Sequence, residues 1–186
     1  MRFRQFFENV DFALQGQVPP EPGTIQVPPG HVRLYHYTGV DGPSDEARFQ
    51  AAQNLRQNGL DIGKAKGSTY GEPNVVWAST AMPNPGKVFA EFSIAMNAPR
   101  WAQGKPNPNE SPQEYESKKW DCYFYDSIRP EEILAVHEPW HSKYRYLMQN
   151  PRVKQEVAAG EHDDLMDRPE YGPAVRRAKL ELTGQL

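Results

Sequence analysis

The chain has 186 residues, with 21 basic and 24 acidic side chains, a net charge of -3 and a single cysteine. This length suits one domain with appendages, and the charge balance gives no overall basic field for nucleic acid. One cysteine excludes an internal disulfide and a cysteine-based zinc site, and no apolar run approaches the ~18 residues of a membrane helix.

The N-terminal segment predicts a helix followed by a linker. Apolar residues at roughly helical spacing indicate a short amphipathic helix over residues 2–15. Residues 16–30 are rich in proline and glycine, which excludes regular structure there. The first residues carry charge throughout and lack the apolar stretch of a signal peptide, so we expect a cytoplasmic protein.

The middle of the chain predicts strands around one helix. Alternation over residues 31–37 indicates a strand. Residues 44–58 are predicted to be a helix that ends at Gly59, a typical residue after a helix C-terminus. Compact apolar runs predict strands over residues 75–79 and 87–96.

The second half predicts two more strands and a helical tail. Residues 97–112 are predicted to form a polar loop. Strands are expected at 120–128 and 133–137, with a turn at 130–132 between them. Helices are expected at 153–159 and 174–182. Long helices alternating with the strands are missing, which favours an α+β fold with a mostly antiparallel sheet and few helices. We therefore expect a domain over 31–148, preceded by the helix and linker of 1–30 and followed by a helical extension over 149–186.

A dinucleotide site without a glycine-rich phosphate loop needs three kinds of chemical group. It needs an aromatic wall to stack the nicotinamide, an amide-reading pair of backbone group and hydroxyl, and a carboxylate to stabilise an oxocarbenium-like centre. The chain offers candidates for all three on separate predicted strands, and their convergence is a hypothesis.

Residues 34–38 (LYHYT) resemble the first motif of the ADP-ribosyltransferases, in the branch of diphtheria toxin and the poly-ADP-ribose polymerases, which carries His-x-Ser/Thr. The resemblance implies a split antiparallel sheet and NAD as substrate. By the same resemblance, His36 would hydrogen-bond the nicotinamide-side ribose, while the backbone of Tyr37 and the hydroxyl of Thr38 would read the carboxamide.

Residues 71–79 (GEPNVVWAS) are similar to the family's second motif, a glycine-led loop that feeds a strand. The resemblance places Gly71 at the loop and Ser79 at the small residue. Trp77 takes the place of a stacking tyrosine, and Phe89 or Tyr70 would form the second wall of the nicotinamide site.

Residues 120–128 (WDCYFYDSI) resemble the late strand that carries the family's catalytic glutamate, and Asp121 falls at that glutamate's place. Aspartate keeps the charge and shortens the reach by one methylene. Glu132 is the rival carboxylate, although its position after Pro130 indicates an exposed turn. The resemblance covers about residues 32–137.

The expected activity is cleavage of the nicotinamide–ribose bond of NAD and transfer of ADP-ribose to a macromolecular acceptor, protein or nucleic acid. We expect the loop at 97–119 to set the acceptor, and we expect no membrane or metal partner. Such a domain suits a toxin-like phage or bacterial effector. Three alternatives stay open: a catalytically impaired binding module for NAD or nucleic acid, an RNA 2′-phosphotransferase-like enzyme, which needs several converging arginines, and an interaction protein without a small-molecule site.

Two further motifs call for structural tests. Residues 137–141 (HEPWH) hold possible metal ligands, but Pro139 argues against the regular helix of a zinc site, so we predict a loop that packs Trp140 over the sheet. Basic residues interleaved with tyrosines over 143–152 suit either a nucleic-acid patch or a solvated helix.

Overall fold

The computed structural model describes residues 18–38, 45–64, 74–84, 86–103, 121–168 and 170–185. Six strands of these residues form one sheet: β1 (His31–Tyr37), β2 (Val76–Ser79), β3 (Phe89–Ala95), β4 (Trp101–Gln103), β5 (Asp121–Phe124) and β6 (Ile133–His137). Their order across the sheet is β4-β5-β2-β1-β3-β6, and each neighbouring pair is antiparallel. The predicted α+β class with a mostly antiparallel sheet is therefore confirmed.

Four α-helices lie in the described part of the chain, and they are α1 (Asp45–Asn58), α2 (Pro139–Gln149), α3 (Pro151–Ala159) and α4 (Gly172–Leu182). Helix α1 ends at Asn58 and is followed, as predicted, by Gly59, whose φ of 67° lies in the left-handed region that favours glycine. A Cβ there would lie 2.1 Å from the carbonyl oxygen of Ile128, which pairs with Leu60. None of the helices among the described residues has the length and apolar character of a membrane span.

One face of the sheet packs against α1. Its buried residues include Leu34, Phe92 and Phe124, which form one apolar cluster with Ala52 and Leu55 of the helix. Phe92 and Phe124 meet edge-on with centroids 5.7 Å apart. This cluster is the main core of the protein, and burial of its apolar area is the main source of stability for these elements.

The opposite face of the sheet carries a buried polar network under the segment that precedes β1. Glu91 is 0% exposed and accepts hydrogen bonds from the backbone N–H of Gly23 at 3.3 Å. His137 lies 2.8 Å from its Oε2 atom, and Arg33 lies 3.2 Å from Oε1. Arg33 also donates to the carbonyl of Ile25. A residue of the proline-rich linker is thus tied to the sheet by a fully buried carboxylate.

The three C-terminal helices build a second apolar cluster, consisting of Trp140, Tyr144, Val157, Ala174 and Ala178, with Val18 packed against it. Helix α2 begins at Pro139, and Glu138 is its N-cap. The prediction of a loop over residues 137–141 is wrong, because proline is well suited to the first helical position, where no intrahelical partner for its missing N–H is needed. Trp140 consequently packs among helices and not over the sheet.

Two strand predictions need correction. The predicted loop at 97–112 contains β4, a three-residue strand whose Trp101 packs near Phe124 with centroids 6.3 Å apart. A strand this short shows no alternation in the sequence. The strand predicted over 120–128 ends at Phe124, and Ile128 forms an isolated bridge with Leu60 instead. The predicted N-terminal helix over 2–15 lies outside the described residues.

Acid should unfold the protein partly through His141, which is 2% exposed on α2. Burial lowers the pKa of His141 to about 2, with Arg56, His137 and Arg145 adding positive charge nearby. Its Nδ1 accepts the N–H of Glu138 at 3.1 Å, a bond that needs the neutral ring. At pH values between 6.5, the pKa of His141 in the unfolded chain, and its lower value in the folded protein, the ring binds a proton only in the unfolded chain.

Stability is therefore fully present above pH 6.5 and falls as the pH falls. Urea unfolding should show a loss of about 2 kcal/mol from this group between roughly pH 7.5 and pH 5. His141→Asn keeps an acceptor and should flatten this slope, whereas His162→Gln, on a partly exposed side chain, should keep it. An unchanged slope in His141→Asn would contradict the assignment.

Candidate functional site

The sheet opens between β1 and β2. The register of these strands is defined at Tyr35 opposite Ser79, and the ladder does not continue to the next pair, Tyr37 and Trp77. Thr38 donates its backbone N–H to Val88 on the β3 side at 3.4 Å. Because successive residues of a strand direct their backbone groups to opposite sides, the N–H and C=O of Tyr37 point toward β2. Both groups therefore face the opening.

His36 bridges this opening. Its Nδ1 lies 2.5 Å from the carbonyl oxygen of Trp77, so Nδ1 carries the proton and donates it. Burial lowers the pKa of His36, and the hydrogen bond to Trp77, which acts in the opposite direction, does not offset it. The ring is therefore neutral at pH 7, and its Nε2 is an acceptor and not a donor.

Two cavities adjoin the opening, and the residues His36, Tyr37 and Trp77 line both of them. The smaller, of about 280 Å³, also contacts Ser79 and Asp121. The larger, of about 590 Å³, extends toward α1 and contacts Thr38, Asn54, Asp61 and Lys64, besides apolar residues. Together they have the size of a small-molecule site, which is usually a few hundred Å³.

Five of the residues predicted for the site lie on the smaller cavity. They are His36 and Tyr37 at the end of β1, Trp77 and Ser79 in β2 and Asp121 at the start of β5. Asp121 lies opposite Ser79, and Trp77 lies opposite Tyr123, whose ring centroid is 5.3 Å from that of the indole. The β2–β5 ladder thus fixes the spacing between the aromatic wall and the carboxylate.

Other predicted site residues lie elsewhere. Thr38 lines only the larger cavity, and its hydroxyl donates to the carbonyl of Val88 at 3.3 Å. Phe89 is 1% exposed and packs between Tyr35 and His137, with centroid distances of 5.9 and 4.8 Å. It lies in a packed cluster and lines neither cavity, because both faces of β3 are covered. Tyr70 and Gly71 lie outside the described residues.

Glu132, the rival carboxylate, lies in a short 3-10 turn (Pro130–Glu132) and forms an ion pair with Arg100. Burial raises the pKa of Glu132, but hydrogen bonds from the backbone of Arg129 and from Arg100 outweigh this and lower it. It lines neither cavity. Of the two carboxylates, only Asp121 borders the opening.

Sequence reasoning missed the buried network of Glu91, Arg33 and His137. Each lies on the face of the sheet that also carries Tyr37 and Trp77. The available signal was a glutamate within the apolar run KVFAEFSIAM (residues 87–96). A charged residue in a strand otherwise composed of core residues has a side chain that either faces solvent or pairs with a buried partner. The sequence does not identify that partner.

Three of the four lysine and arginine residues of α2 and α3 have contacts within the protein. Lys143 donates to the carbonyl of Glu170 at 2.6 Å and lies 4.2 Å from the ring centroid of Tyr171. Arg145 donates to Pro19 at 3.1 Å, and Arg152 pairs with Glu156 at 2.8 Å. These contacts account for three of the basic groups of this segment without a nucleic-acid partner. No group of three or more metal-ligating side chains occurs among the residues that the structure describes.

No protein-family model, no curated protein and no solved structure matches the chain. The geometry of the opening between β1 and β2 is therefore the basis on which a function is assigned.

Proposed function

We propose that the chain binds NAD at the opening between β1 and β2 and transfers its ADP-ribose to a macromolecular acceptor, a protein or a nucleic acid. One observation carries the proposal. His36, Tyr37, Trp77 and Asp121 come from three segments far apart in the sequence and line one cavity of about 280 Å³. These are residues that the resemblance to ADP-ribosyltransferases assigns to one site.

Each group has a role that its chemistry supports. The indole of Trp77 stacks the nicotinamide ring. The backbone N–H and C=O of Tyr37, which point toward β2, suit the carboxamide, which needs one donor and one acceptor. The Nε2 of His36 accepts a hydrogen bond from a hydroxyl of the adjoining ribose, and the bond to Trp77 holds the ring in the required tautomer.

The carboxylate of Asp121 stabilises the positive charge that develops on the ribose as the glycosidic bond breaks. Nicotinamide leaves with the electron pair of the C–N bond and becomes neutral. A nucleophilic oxygen or nitrogen of the acceptor then bonds to the anomeric carbon and loses its proton. The shorter reach of aspartate is accommodated if the ribose lies close to β5, where Asp121 begins the strand.

The alternative of RNA 2′-phosphotransfer finds less support. That reaction needs several arginines around a phosphate, and no arginine is among the described residues lining either cavity. Arg33, the nearest in sequence to the His-Tyr-Thr motif, is engaged with Glu91 and Ile25. A binding module without turnover has the same geometry and is separated from an enzyme by experiment.

The test combines calorimetric titration of NAD with measurement of nicotinamide release in the presence of cell lysate and labelled NAD. We expect one binding site per chain, nicotinamide release and labelled acceptor. His36→Ala should weaken NAD binding about 10-fold, and His31→Ala, at the other end of the same strand, should not. Binding without release would identify a binding module, and absence of binding would contradict every dinucleotide function.

A further inference from the structure

Tyr37 occupies a central position at the opening. It lies at the end of β1 and belongs to the wall that both cavities share. The resemblance to the ADP-ribosyltransferases implies a role for the backbone of Tyr37 alone. The side chain of this tyrosine therefore needs its own explanation.

The hydroxyl oxygen of Tyr37 is buried and has no hydrogen-bond partner within the described part of the chain. Buried polar atoms in folded proteins almost always have a partner, and leaving one unpaired is destabilising. Phenylalanine would fill the same space without that penalty. An unpaired phenol on a residue that lines both cavities therefore indicates a partner that arrives with a ligand.

A positive charge lies over the ring of Tyr37. The Nζ atom of Lys87 is 5.3 Å from the ring centroid of Tyr37. A phenol O–H that is ready to donate, together with an ammonium group, favours an acceptor that carries negative charge. In a dinucleotide the pyrophosphate is the anionic part, because the nicotinamide and the ribose hydroxyls carry no negative charge.

We propose that the Tyr37 hydroxyl donates a hydrogen bond to a pyrophosphate oxygen of the bound dinucleotide, with Lys87 as the neighbouring cation. This inference rests on the proposed function. The backbone and the hydroxyl of Tyr37 are separated by the length of its side chain. One residue therefore contacts the carboxamide at one end and the pyrophosphate at the other, and sets the distance between these two parts of the ligand.

Tyr37→Phe tests the proposal by calorimetric titration with two probes, NAD and nicotinamide riboside, which lacks phosphate. The variant should bind NAD about 10-fold more weakly, as expected for loss of one hydrogen bond to a charged group, and should bind the riboside as the wild type does. Without ligand, its urea midpoint should equal or exceed that of the wild type. Tyr146→Phe, on an exposed tyrosine of α2, should change neither affinity.

The possible failures are distinct. Equal NAD affinity in Tyr37→Phe and wild type would overturn this inference and leave the proposed function standing. An equal loss for both probes would overturn the assignment to the pyrophosphate. A lower urea midpoint in the unliganded variant would reveal a partner inside the protein and overturn the premise. No binding of either probe to the wild type would overturn both proposals.

Discussion

Replacing Asp121 by asparagine should lower the rate of nicotinamide release about 100- to 1000-fold, a range typical of the loss of one electrostatic contact to a transition state. The substitution keeps the shape of the side chain and removes its charge. Affinity for NAD should change only a few-fold, because the charge on the ribose develops as the bond breaks. The effect should therefore fall on kcat and not on KM.

Two further variants sharpen this experiment. Asp121→Glu adds one methylene and gives the residue that the resembling motif carries at this position, and it should keep or raise the rate. Asp126→Asn removes a carboxylate that is 65% exposed beyond the end of β5 and should leave the rate within about 2-fold. If Asp121→Asn binds NAD normally and releases nicotinamide at the wild-type rate, Asp121 is not the working carboxylate.

Replacing Glu91 by alanine should destabilise the protein by about 3 to 5 kcal/mol, the range found when one member of a buried ion pair is removed. The carboxylate is 0% exposed and pairs with Arg33 and His137. Its loss leaves a cavity and removes partners from both side chains. It also removes the acceptor of the Gly23 N–H, which ties the N-terminal linker to the sheet.

Urea unfolding measures the free energy of unfolding, and hydrogen exchange at the Gly23 amide measures how firmly the N-terminal linker is attached to the sheet. Glu91→Gln keeps the shape of the side chain and an acceptor oxygen. It should therefore lower the free energy of unfolding less than half as much as Glu91→Ala, and the Gly23 amide should exchange more slowly in Glu91→Gln than in Glu91→Ala. Glu161→Gln, on the exposed surface after α3, should stay within about 0.5 kcal/mol of the wild type. A similarly small effect of Glu91→Ala would show that the buried pair contributes little.

Elements with strong local signals were predicted well. The strand at His31–Tyr37 follows from alternation, and the helix at Asp45–Asn58 follows from its apolar stripe and from Gly59 at its end. The helices of the tail were also predicted, since their pattern is local. Local signals failed at β4, which is too short to show a period, and at Pro139, which begins a helix.

The candidate site was predictable only as a set of residues. The His-Tyr-Thr motif, Trp77 and Asp121 could be named from the sequence, and the structure places His36, Tyr37, Trp77 and Asp121 on one cavity. Phe89 could not be placed correctly, because a phenylalanine on a strand suits a ligand wall and a packed core equally well. The phenol of Tyr37 was missed, because whether a hydroxyl has a partner depends on atoms from distant segments.

The sequence by itself determined the α+β class, the bounds of most regular elements and the residue types available for chemistry, since these depend on periodicity and on neighbours along the chain. The tertiary structure alone decided the strand order, the end of the β1–β2 ladder after Tyr35 and Ser79, and the burial of Glu91. These features arise from pairing between segments far apart in the chain. Such pairing is governed by packing and by buried hydrogen bonds, which no local pattern encodes.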